Sequence, residues 1–80
     1  MVTVTLLYFA SLRERTGVAS ESVSTRANDL AGLYAEVQAR HGIAWPREHL
    51  RVAMNGEFAR WHDAPVEGSE IAFIPPVSGG

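Results

Sequence analysis

Cysteine is absent from the 80-residue chain, and so is lysine. The first absence excludes disulfides, thiolate metal sites, iron–sulfur clusters and a cysteine nucleophile, so any sulfur chemistry must use some other atom. The second leaves seven arginines, scattered from Arg13 to Arg60, as the permanent side-chain cations, against nine carboxylates. With a net charge of −2 there is no basic field for a phosphate backbone or an anionic bilayer. Neither nucleic acid nor membrane is an expected partner. The apolar start, Met1 to Ala10, has no positive flank or cleavage site and is too short to span a bilayer, which points to a cytoplasmic protein. No glycine-rich phosphate loop is present either: Gly17, Gly32, Gly42, Gly56 and Gly68 are isolated and read as caps and turns. His41, His49 and His62 fall at no ligand spacing and read as solvated or structural, so no metal site is expected. Glu67, Glu70 and the Arg13-Glu14-Arg15 run read as solvated faces.

What the chain does have is 46% hydrophobic residues in short, well-punctuated runs, enough for one small core and no second domain. Val2 to Phe9 is β-branched and aromatic apart from Leu6 and Leu7, which predicts a central strand. Ala10 to Thr16, stopped by Gly17, predicts a short helix. Glu21 to Thr25 predicts a modest second strand. Asn28 is the expected cap of the main helix, with Asp29 in its first turn and Leu30, Leu33, Tyr34 and Val37 on one face until His41 and Gly42. Leu50 to Met54 predicts a strand, Asn55-Gly56 a tight hairpin, and the return arm carries Phe58 and Trp61. After the Glu67-Gly68 turn, Ile71 to Ile74 is a buried strand that halts at Pro75-Pro76. The fold class is therefore α+β: a roll with a mixed sheet of about five strands, one main helix and one short helix. The two most apolar strands, first and last, should lie side by side at the sheet centre. Val77, Ser78, Gly79 and Gly80 then have nothing to pack into, and two glycines without side chains could thread a narrow channel.

The run Gly68-Ser69-Glu70-Ile71-Ala72-Phe73-Ile74-Pro75-Pro76-Val77-Ser78-Gly79-Gly80 resembles the C-terminal signature of the MoaD family, the small subunits of molybdopterin synthase among the ubiquitin-like β-grasp sulfur carriers. Tyr8 to Glu14 with Gly17 is similar to that family's opening, and Met54-Asn55-Gly56-Glu57 to its hairpin. Ser69 stands where many members have Asp, and residues 60–64, with Trp61 and His62, are idiosyncratic. The resemblance implies a β-grasp domain over residues 1–76 and a flexible Gly-Gly tail over 77–80. It implies no permanently bound cofactor. A MoeB-like adenylyltransferase of the ubiquitin-activating type would use ATP and Mg²⁺ to adenylate Gly80, and a sulfur donor protein would convert it to a thiocarboxylate. The tail, Val77, Ser78, Gly79 and Gly80, would then enter a MoaE-like large subunit in a heterotetramer and give sulfur to cyclic pyranopterin monophosphate. The chain would be a noncatalytic subunit. Phe9, Phe58, Ile74, Pro75 and Pro76 would form the partner-binding patch, although Phe9 reads equally well as core. A carrier for thiamine or tRNA thiolation, a protein modifier, and an interaction module with an inert tail are the alternatives.

Overall fold

The computed structural model describes residues 1–75. Strand β1 (Val2–Tyr8) leads into helix α1 (Ala10–Thr16), followed by β2 (Ser20–Thr25), helix α2 (Leu30–His41), a 3-10 turn (Arg47–His49), β3 (Arg51–Met54), β4 (Glu57–Ala59) and β5 (Glu70–Ile74). The five strands form one sheet in the order β2-β1-β5-β3-β4. β1 and β5 are parallel neighbours at its centre, with Leu6 opposite Ile71 and Tyr8 opposite Phe73, and the other pairings are antiparallel. The α+β roll and the central placement of the two apolar strands are as the sequence implied.

Alternation along each strand divides the side chains between two faces. Val4, Leu6, Tyr8, Val52, Ile71 and Phe73 point to one side and meet Leu30, Leu33, Tyr34 and Val37 of α2, all buried. Each such side chain contributes roughly 1.5–3 kcal/mol when fully removed from water. Trp61 was expected on the return strand, but β4 stops at Ala59 and Trp61 instead stacks nearly parallel to Phe73, with ring centroids 6.1 Å apart. It closes the core beneath α2, beside Tyr34.

The start of α2 also differs from expectation. Asp29, not Asn28, is the N-cap: its backbone is extended and its carboxylate accepts the Gly32 N–H at 2.8 Å. Gly32, expected at a cap or turn, lies within the helix, where a Cβ would come 3.2 Å from that carboxylate oxygen. The Leu30 and Ala31 N–H groups donate to the carbonyls of Asp63 and Trp61, both at 2.9 Å, and Leu33 N–H to the Asp29 carbonyl. The first three N–H groups of the helix, which no helical carbonyl can serve, are thus all satisfied, and Leu33 begins the regular helical ladder. Two of them depend on the idiosyncratic 60–64 segment, a partner far away in sequence that outweighs the local preference of Asn28 for capping. Ser69, too, does more than fill a turn: it is buried, and its hydroxyl donates to the Val66 carbonyl at 2.6 Å.

At the other end of α2, His41 and Arg40 reach Glu21 on β2, at 2.6 Å and 3.4 Å, and the Tyr8 hydroxyl donates to the same carboxylate at 2.5 Å. Burial by itself would raise the Glu21 pKa, but the hydrogen bonds from Tyr8 and His41 and the charges of His41 and Arg40 outweigh it and hold it below the ordinary 4.5. Burial first, then the Glu21 contact, pushes the Tyr8 phenol far above its usual range, so it stays a donor. Burial also pushes the Tyr34 phenol up to about 12, and its hydroxyl donates to the Trp45 carbonyl, which Gln38 shares.

Two outcomes follow. Asp29→Ala removes a helix cap and should lower the unfolding free energy by about 1 kcal/mol in urea denaturation. A depressed carboxylate contributes stability that is present above its unfolded pKa and lost as pH falls through the lower folded value. Stability should therefore decline as pH drops below 4.5, and Glu21→Gln should flatten that acid limb in melting curves taken across pH.

Candidate functional site

The face of the sheet turned away from α2 is uncovered among the described residues. The register assigns to it Ser22 and Ser24 of β2, Thr3, Thr5 and Leu7 of β1, Glu70, Ala72 and Ile74 of β5, Arg51 and Ala53 of β3, and Phe58 of β4. These residues are not mixed. The half near β2 carries hydroxyls, with Thr3 and Ser24 hydrogen-bonded across the strands at 3.1 Å. The half toward β4 is mostly apolar, a shallow groove lined by Leu7, Phe9, Ala53, Phe58, Ala72 and Ile74, with Glu70 also in its wall. A second groove, lined by His49, Leu50, Phe58, Ile74 and Pro75, continues it past the end of β5.

Two aromatic rings dominate this platform. Phe58 is 69% exposed and Phe9 49%, a large apolar area to leave in water on so small a domain. Phe9 therefore belongs to the surface, which resolves its two readings. It follows the last residue of β1 and precedes Ala10, whose φ of 50° is the left-handed conformation that costs a residue with a Cβ about 1–2 kcal/mol. Asn55 and Gly56, at φ of 54° and 84°, make the tight turn that brings Phe58 back beside Ala53.

Of the expected site residues, the structure brings Phe9, Phe58, Ile74 and Pro75 together. The first three flank the groove, Ile74 is half-buried, and Pro75 is buried at the point where β5 ends. Pro76, Val77, Ser78, Gly79 and Gly80 lie outside the described residues, as does the boundary expected between 76 and 77. Leu7, Ala53, Ala72 and Arg51 were not singled out from the sequence. Their signal was alternation relative to the inward positions of β1, β3 and β5, which becomes readable once the register is known.

Nothing on the platform resembles catalytic machinery. Its groups are chiefly apolar side chains and backbone, with the Arg51 guanidinium and the exposed Glu70 carboxylate at separate places on the sheet, an arrangement that suits docking and pairs no nucleophile with a base among the described residues. His49 and His62 are exposed, and His41 belongs to the Glu21 cluster on the other side of the sheet. Among the described residues, no three His, Asp or Glu side chains are grouped to hold a metal ion, and no helix is long and apolar enough to cross a membrane.

Known proteins match this arrangement over the whole chain. The molybdopterin synthase sulfur carrier subunit of Homo sapiens is 40% identical over 82 residues, covering 96% of this chain and 93% of that protein. The solution structure of small archaeal modifier protein 1 from Methanosarcina acetivorans superposes with a TM-score of 0.81 at 21% identity, covering 100% of this chain and 98% of that one. Subunit 1 of the molybdopterin-converting factor from Helicobacter pylori, solved in complex with subunit 2, gives a TM-score of 0.68 at 24% identity, covering 99% of this chain and 100% of that one. Both structures share the ubiquitin-like β-grasp fold. The family model described as "ThiS family" matches residues 6–80, from the middle of β1 through the Gly-Gly end, and the chain belongs to that family.

Proposed function

We propose that this chain is the sulfur-carrier subunit of a molybdopterin synthase. The observation that carries the reading is the apolar platform of Leu7, Phe9, Phe58, Ala72 and Ile74 gathered where β5 ends and the tail begins. It is supported by the 40% identity to the human sulfur carrier subunit.

A carboxylate is a poor electrophile, because its charge repels nucleophiles and oxide is a poor leaving group. A MoeB-like partner would spend ATP with Mg²⁺ to join the Gly80 carboxylate to AMP, releasing pyrophosphate. A persulfide sulfur from a donor protein would displace AMP, and a second thiol would attack the donor cysteine's sulfur in the resulting acyl disulfide, forming a disulfide with it and releasing a thiocarboxylate on Gly80. The sulfur thus rides on the backbone terminus, which accounts for a sulfur carrier without cysteine. In a MoaE-like large subunit the thiocarboxylate would act as an anionic nucleophile on cyclic pyranopterin monophosphate, and two transfers would complete the dithiolene.

This chain's own contributions are few. Gly79 and Gly80 carry no side chain to obstruct a channel. Ser78, Val77, Pro76 and Pro75 connect them to the sheet, and the platform holds the domain against each partner. A noncatalytic role in a cytoplasmic sulfurtransferase complex fits a surface whose largest exposed side chains, Phe9 and Phe58, are apolar.

Incubation with the activating enzyme, ATP and a sulfur donor should raise the intact mass by the difference between sulfur and oxygen. Unchanged mass with active reagents would defeat the proposal. Deleting Gly80 should abolish sulfur transfer with little effect on the melting temperature. Phe58→Ala removes an exposed aromatic anchor and should weaken binding to the large subunit about tenfold by calorimetry, while the fold is retained.

A further inference from the structure

We propose that Arg51 is the charged recognition element of the platform, and that the large subunit covering it presents a carboxylate to the Arg51 guanidinium. The inference rests on the docking reading above and adds a requirement on the partner's chemistry.

Arg51 opens β3 opposite Ile74 and points to the open face. Its guanidinium carbon lies 5.3 Å from the centre of the Phe58 ring, so the cation is laid over the most exposed apolar side chain of the groove. That contact uses the ring's negative face but none of the guanidinium's five N–H donors. Among the described residues the ion pairs are those of Arg40, His41 and His62, and Arg51 has none. Glu48 lines the same groove as Arg51, and Glu70 lines the groove on the other side of Phe58, but neither pairs with it.

In the free domain water serves those donors. Docking on the platform removes that water, because Arg51 sits within the patch and cannot leave it without giving up Phe58. A guanidinium covered by an apolar surface would be a desolvated charge without a counter-ion, an arrangement proteins avoid at considerable free-energy cost. A partner that buries Phe58 must therefore bring an acceptor, and the planar fork of Arg matches a carboxylate in a bidentate pair. A phosphate would satisfy the same fork, but the chain's net charge of −2 argues against a polyanionic surface. Such a pair would also set orientation: with the platform alone the domain could rotate on its partner, and with Arg51 fixed it cannot.

The test measures Kd of the full-length chain for the large subunit by calorimetry across a range of NaCl concentrations, with melting curves to confirm that the exposed Arg51 can be replaced without unfolding. Arg51→Glu should weaken binding about tenfold or more, because two carboxylates would then face each other. Arg51→Met, which keeps the apolar stem and leaves the partner's carboxylate unpaired, should weaken it several-fold and reduce the salt dependence, whereas Arg51→Lys should keep the salt dependence but recover only part of the affinity, because an ammonium lacks the planar fork. Arg51→Met binding as tightly as the unaltered chain, with the same salt dependence, would overturn the inference while leaving docking intact if Phe58→Ala still weakens binding. If Phe58→Ala has no effect either, the docking reading fails and takes this inference with it. A loss seen only with the activating enzyme would overturn the assignment to the large subunit.

Discussion

Everything in this fold depends on the parallel pairing of β1 with β5. These are the two most apolar segments of the chain, and placing them side by side puts Leu6, Tyr8, Ile71 and Phe73 under α2 in one continuous layer. The remaining strands extend that centre outward, and the helix needs only one apolar face to close it. The same pairing brings the end of β5 to the middle of one sheet edge rather than a corner. Pro75 therefore lies in one groove with Arg51 and Phe58.

The two faces of the sheet obey different constraints. Beneath α2, polar groups are present only where they are answered: Glu21 by Tyr8, His41 and Arg40, and the Tyr34 hydroxyl by the Trp45 carbonyl. No buried side-chain polar atom among the described residues lacks a hydrogen-bond partner. The open face is the reverse, with aromatic rings in water and a cation without a carboxylate. A domain that satisfies every demand on one side and leaves them open on the other is built to be completed by another molecule.

The strands, both helices and the hairpin were legible from the sequence because each is marked by local chemistry. The run Val2 to Phe9 has the composition of a buried strand, Gly17 and Gly42 take the left-handed conformation at helix ends, and Asn55-Gly56 makes its turn unaided. What could not be read depends on residues distant in the chain. Asp29 displaces Asn28 as the cap because Trp61 and Asp63 supply carbonyls to the next two N–H groups, and nothing near Asn28 signals that. Trp61 leaves its strand to stack on Phe73. Phe9 faces water although its neighbour Tyr8 is buried, a difference of one residue that alternation alone leaves ambiguous until the register is known. Phe9, Phe58 and Ile74 were singled out through the family resemblance, and the structure lines one groove with all three. The place of Arg51 among them required the three-dimensional sheet.

The central position of β5 also imposes an order in time. β1 is made well before β5, and one of its two edges stays open until residues 70–74 have left the ribosome, so the core cannot close on a chain that stops short of them. Interrupted synthesis or truncation before β5 removes the middle of the sheet rather than an edge. Such fragments should remain unfolded and be degraded instead of competing for partners. By placing β5 at the centre, the domain makes the docking platform available only on molecules that have been translated at least through Ile74.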